Sequence, residues 1–200
     1  MYKLKMKVSI IMEEKESKAV IKKETKSRIK KEYLILSIIV ILIILVDQIS
    51  KIYINNIGEV KVIEGILKFN ITQNTNAAYG IGSSSTIMYV ITNLVILSVI
   101  FKFITTQNEF IDNKLKVFLS LIFAGGIANV IDRIFRGYVI EFIDFRELIN
   151  LPVLNIADIS VIIGWVAVAA IFASFTVNEF RNNKNKQDKI EIKDEDKKKD

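Results

Sequence analysis

The sequence contains neither cysteine nor histidine. The missing cysteine removes disulfides, thiol nucleophiles and Cys/His zinc sites, and it means the chain cannot itself be an N-terminal lipoprotein. The missing histidine removes Ser-His and Cys-His catalytic pairs and the HExxH type of metal site. Any enzyme chemistry must therefore rest on carboxylates, Lys, Arg, Asn or hydroxyls. No metal site and no cofactor is implied.

What is present is segregated along the chain. Of 200 residues, 51% are hydrophobic and 25% charged. The two classes sit in separate blocks, with Lys-rich ends around long apolar runs, which is the pattern of a membrane protein. The net charge of +6 does not point to nucleic acid. It lies in tails that flank membrane spans, where Lys and Arg are expected anyway.

About 20 apolar residues make a helix that crosses the hydrocarbon core. Four such segments are predicted: Tyr33 to about Tyr53, Ile87 to Ile104, Leu115 to Ile131, and Ile156 to Val177. Basic residues set the orientation. Lys22, Lys23, Lys26, Arg28, Lys30 and Lys31 precede the first span. Lys102, Lys114 and Lys116 flank the connection between the second and third. Arg181, Lys184, Lys186 and Lys189 follow the fourth. All three regions read as cytoplasmic, so both termini lie inside. The connections 54–86 and 132–155 lie outside. The domain reading is a basic cytoplasmic tail over 1–32, a membrane unit over 33–180 and a charged cytoplasmic tail over 181–200, the two tails polar and mobile. Their Lys runs face either anionic headgroups or plain solvent.

The first outer connection is long enough to fold. Leu67, Phe69 and Ile71 alternate with Lys68, Asn70 and Thr72, the period of a half-buried strand. Val60 and Val62 suggest its partner, with Glu64-Gly65 as the turn. The fold class is thus an all-α membrane protein with four transmembrane helices and a small outer sheet.

Polar groups at membrane depth are candidate functional residues. They fall at one end of the spans: Asp47 and Lys51 in the first, Asn129, Asp132 and Arg133 in the third, Asn155 and Asp158 in the fourth, with Asn74 in the first outer loop. Spacings of three and four place each group on one helix face. Each has a plain structural reading as well. Asp47–Lys51 can be a salt bridge at the membrane edge, Asn155 a helix cap with Asp158 in the first turn, and Asp132-Arg133 an interface marker. Gly125-Gly126 reads as close helix packing. Two carboxyls without histidine suggest aspartic-type hydrolysis. One ionised acid takes a proton from water, and its neutral partner protonates the leaving group. At an outer membrane surface this would serve a membrane-bound peptide.

Five motifs then occur in order. They are Asp47-Gln48-Ile49-Ser50-Lys51, Asn74-Thr75-Asn76-Ala77-Ala78-Tyr79, Gly125 to Arg133 with the pattern G-G-x-x-N-x-x-D-R, Gly137-Tyr138-Val139-Ile140-Glu141-Phe142, and Leu154-Asn155-Ile156-Ala157-Asp158. Together they resemble the bacterial lipoprotein signal peptidase (signal peptidase II) family over about 47–164. The resemblance implies a metal-independent aspartyl peptidase with four spans and an outer β-cradle, formed here largely by the first outer loop. It would act on prolipoproteins just before the lipid-modified cysteine, with its site at the outer face of the bacterial plasma membrane. Asp158 then matches one catalytic aspartate. The other falls on Glu141, a glutamate where the family has aspartate. Asp132 is the alternative second acid, and Asp144 a weaker one because it lies three residues further on. Asn129, Arg133 and Asn155 would position the substrate or hold the carboxylates. Asn74 would bind substrate from the loop, and Asp47 and Lys51 would brace the site. The implied partners are lipid-modified prolipoproteins and membrane lipids, with the chain a monomer. The competing classes are an impaired relative that binds lipoproteins, and a transporter whose internal polar residue would be Asn93.

Overall fold

A computed structural model describes residues 2–75, 86–106 and 111–196. Along the chain run α1 (Tyr2–Ile57), β1 (Val60–Ile63), β2 (Leu67–Asn74), α2 (Thr86–Thr105), α3 (Asn113–Arg136), β3 (Val139–Asp144) and α4 (Ile156–Asp196). All four helices are long and apolar enough to cross a membrane. The expected spans lie inside them, but the first and last helices run much further. Residues 2–32 and 181–196, expected as mobile tails, continue α1 and α4 as helix. Neither stretch contains Gly or Pro. The first is rich in Lys and Glu and the second in Lys, Asn and Asp, and without a breaker a helix already nucleated in the membrane propagates outward.

Helix α3 is the hub, in contact with α1, α2 and α4. Asp112 caps its start by accepting the Leu115 N–H at 2.8 Å. Gly137 ends it in the left-handed region, at φ 82°, where a residue without a Cβ is at no disadvantage. Leu36 of α1, Leu97 and Ile100 of α2, Leu119 and Ile122 of α3, and Val168 of α4 close the apolar core.

Two glycines let the helices approach. A Cβ at Gly125 would run into the Ala157 carbonyl and Val161 of α4, and one at Gly126 into Leu97 of α2. The packing reading of this pair therefore holds. Gly125→Val is expected to overpack the α3–α4 seam at a cost of about 1–3 kcal/mol. Thermal unfolding of the detergent-solubilised protein measures it, and an unchanged midpoint would mean that the seam is loose.

The sheet is antiparallel in the order β1-β2-β3. Strands β1 and β2 form the hairpin expected from the alternating pattern, turning at Gly65 with φ 72°. The third strand comes from the other connection and pairs Thr72 with Glu141 and Asn74 with Val139. Phe69 meets Phe142 edge-on at 5.7 Å. With Ile54, Ile143 and Leu154 they form a second core that seats the sheet on the end of α1. The sheet thus carries Asn74 and Glu141 over the ends of α1, α3 and α4. Asn76 to Tyr79, the rest of the second motif, lie outside the described residues.

Candidate active site

The site is built on one buried lysine. Lys51 is fully buried, with its Nζ 2.7 Å from Asp47 Oδ2 and 2.8 Å from Asp132 Oδ2, both carboxylates equally buried. Its third contact is Asn129 Oδ1 at 3.3 Å. A charge in so dry a place survives only when paired and fully hydrogen-bonded. Each aspartate also accepts a backbone N–H. Asp47 Oδ1 accepts the Ala157 N–H at 2.9 Å, and Asp132 Oδ2 accepts the Ile140 N–H at 3.2 Å. Ala157 precedes Asp158, and Ile140 precedes Glu141. Asp132 also accepts from Gln48 Nε2 at 2.9 Å and pairs closely with Arg136. Its carboxylate is therefore held by four donors and sealed from solvent.

Asn155 joins three elements. At the start of α4 its Oδ1 accepts the Asp158 N–H at 2.7 Å, and Asp158 Oδ2 accepts the Asn155 N–H at 3.0 Å. This is a capping box with aspartate in the third position. Asn155 Nδ2 donates to Asn129 Oδ1 at 3.0 Å and to the Ile140 carbonyl at 3.1 Å. Asn129 Nδ2 in turn donates to Asp158 Oδ1 at 2.8 Å. The cap reading of Asn155 holds, and the same side chain also reaches α3 and β3.

Glu141 reaches the site from β3. Its Oε1 accepts from Asn74 Nδ2 at 2.7 Å. Burial pushes its carboxyl above the usual range for glutamate, and the nearby Asp158 charge pushes the same way. The Asn74 hydrogen bond and the cations Arg133 and Lys51 pull it down. Arg133 lies beside both acids. It donates from Nη1 to the Asn129 carbonyl at 3.4 Å, and its guanidinium stands over the Tyr89 ring at 5.8 Å.

The other acids at this end are occupied. Asp144 is buried and held by Arg146 through Nε at 2.9 Å and Nη2 at 2.6 Å, which keeps its carboxyl well below the usual range. Glu141 and Asp158 are only half-buried. Asp47, Lys51, Asn74, Asn129, Asp132, Arg133, Glu141, Asn155 and Asp158 therefore converge, and Asp144 stands apart with Arg146. Two carboxyls keep an open side, while Asp47, Asp132 and Asp144 are locked away.

A sequence profile described as Signal peptidase (SPase) II matches residues 39–175. This chain belongs to the signal peptidase II family. The lipoprotein signal peptidase of Clostridium novyi is 32% identical over 139 residues, covering 66% of this chain and 93% of the relative. That of Staphylococcus haemolyticus is 36% identical over 141 residues, covering 68% and 89%. A solved bacterial membrane enzyme, determined by the in meso method, superposes with a TM-score of 0.64 at 30% identity, covering 72% of this chain and 90% of the other. As a signal peptidase II, the chain is a multi-pass bacterial membrane protein and an aspartic peptidase that removes signal peptides from prolipoproteins.

For this signal peptidase II the sequence missed four supporting side chains. Gln48 lies inside the first motif and bridges Asp47, Asp132 and Arg136. Arg136 stands four residues after Asp132, a helical pairing distance that would have revealed it. Arg146 stands two residues after Asp144. Tyr89 carried no signal, because its role depends on where α2 meets α3. Asn93, the candidate for a transport path, donates to the Tyr89 carbonyl of its own helix at 2.8 Å.

Proposed function

We propose that Asp158 and Glu141 are the reacting acids, and that they cut a prolipoprotein just before its lipid-modified cysteine. The observation that carries this reading is the contrast in occupancy. Two acids from separate elements stay half-open beside each other, and all their acidic neighbours are saturated. The same contrast argues against Asp132 as the second acid, since four donors leave it no lone pair aimed at a substrate.

The division of labour follows from the donors. Asp158 accepts an N–H on each oxygen, from Asn129 Nδ2 and from the Asn155 backbone, so both of its oxygens act as acceptors and we assign it the role of base. It takes a proton from water as the water oxygen bonds to the scissile carbonyl carbon. Glu141, held by one amide and raised by burial, carries the proton. It passes that proton to the departing nitrogen as the C–N bond breaks, leaving a carboxylate on the signal peptide and an amine on the cysteine. Arg133 and Asn74 flank the pair and position the substrate backbone. The site faces outward, both termini lie in the cytoplasm, the helical extensions of α1 and α4 are cytoplasmic, and the chain works as a monomer. The substrate's diacylglyceryl chains stay in the surrounding lipid.

The test is a cleavage assay in detergent with a prolipoprotein supplied with and without its lipid modification. Mass spectrometry of the product is expected to find lipidated cysteine at the new N-terminus. Equal cleavage of the unmodified protein would overturn the substrate reading. A second expectation concerns pH. A Glu141 that must be protonated makes kcat/KM fall as pH rises through its elevated pKa. Asn74 lowers that pKa, so Asn74→Ala is expected to move the alkaline limb to higher pH. An acid limb that moves to higher pH while the alkaline limb stays in place would reverse the roles of the two acids.

A further inference from the structure

A cleft of about 270 Å³ opens at the far end of the bundle, between α1, α2 and α3. Its walls are Leu36, Val40 and Ile41 of α1, Phe101 of α2 and Phe123 of α3. Ile41 and Phe101 remain more than half exposed, so the cleft opens sideways onto hydrocarbon. One end is closed by Tyr33, whose hydroxyl donates to the Thr105 carbonyl at 2.8 Å. Just beyond lies the pair of buried Lys116 and partly buried Glu32, 2.7 Å apart.

The charge around this cleft is ordered. Lys26, Lys30, Tyr33, Ser37 and Ile41 recur at helical spacing, so they share one face of α1. That face changes from apolar to cationic within one turn of Tyr33. Lys26 and Lys30 are exposed. Of the neighbouring acids on α1, Glu24 projects from the opposite face, and Glu32 is neutralised by Lys116. Lys102, exposed in the last turn of α2, adds a third cation three residues before Thr105. A slot for hydrocarbon thus leads directly into a cationic rim, the layout complementary to an anionic amphiphile.

We propose that the cleft holds one acyl chain of an anionic glycerophospholipid whose phosphate rests on Lys30, flanked by Lys26 and Lys102. The apolar walls accept the tail of any phospholipid, and the lysines select the headgroup charge. A basic side chain at a membrane surface strengthens attraction to anionic lipid by about fivefold. The site is remote from the acids and independent of the cleavage chemistry.

Native mass spectrometry of the full chain in neutral detergent tests this with phosphatidylglycerol and phosphatidylcholine as probes. A one-to-one phosphatidylglycerol adduct is expected, favoured over phosphatidylcholine by about tenfold or more. Lys26→Glu with Lys30→Glu is expected to abolish that preference and leave the phosphatidylcholine adduct unchanged. Val40→Trp, which fills the slot, is expected to lose both adducts. Ser37→Phe is the second filling variant, because Ser37 lines the cleft from an exposed position and its replacement does not strain the core. Equal retention of the two lipids by the native chain would overturn the proposal. So would a phosphatidylglycerol adduct that survives Ser37→Phe, which would place the lipid on the basic helix alone.

Discussion

Asp158→Asn is expected to leave the protein folded and to cut the rate of prolipoprotein cleavage by about a thousandfold or more, within the range that general acid–base groups contribute. The amide is close in shape to the carboxylate and can keep a bond to the Asn155 N–H, so α4 retains its cap. It cannot take a proton from water. Glu141→Gln is expected to fall as far, because an amide has no proton to give the leaving nitrogen. Glu141→Asp is a finer probe. Retracting the carboxyl by one methylene pulls it away from Asn74, now at 2.7 Å. Displacements of about an ångström can cost about a hundredfold, so this variant should be slow but active. Turnover assays on a lipidated prolipoprotein, with thermal unfolding as the control for folding, measure all three. Full activity in Asp158→Asn would end the two-acid mechanism. Asp132→Asn is expected to differ in kind, losing thermal stability together with activity, because its carboxylate holds Lys51 and Arg136 rather than substrate.

The second large effect is on stability. Lys51→Met leaves Asp47 and Asp132 buried without the cation between them. Breaking a buried ion pair from one side costs about 3–5 kcal/mol, a large share of the net stability of a domain. The variant should unfold at a markedly lower temperature in detergent and show no cleavage. Adding Asp47→Asn removes one of the stranded charges and should recover part of the loss, which a double-mutant comparison isolates from lost packing. If Lys51→Met melts with the native protein, the account of the site's centre is wrong.

The four membrane helices were legible because each carries a long apolar run. The hairpin was legible because β2 alternates. Strand β3 was not. Five of the six residues in Val-Ile-Glu-Phe-Ile-Asp are buried, so neither face shows a polar stripe and the period of two disappears. The site residues were legible as a set because they collect at one end of the spans. Their division into open and closed acids was not, because it depends on partners far away in sequence. Gln48 and Lys51 of α1 bond to Asp132 of α3, and the Ile140 N–H arrives from β3. The helical continuation of α1 and α4 into the terminal segments was not legible because Lys-rich composition describes an exposed helix as well as an irregular tail.

Helices α1 and α3 run in the same direction, and two ion pairs join them. Glu32 meets Lys116 at one end, and Lys51, one turn beyond Asp47, meets Asp132 at the other. From Glu32 to Lys51 the helical rise is about 28 Å and from Lys116 to Asp132 about 24 Å, a difference of about 4 Å that the long lysine side chains span. The two fastenings therefore engage together only at one vertical alignment, and a slip of a single turn would undo both. The long shaft of α1 beyond Glu32 is thus no plunger. Axial movement of α1 against α3 is resisted at both fastenings.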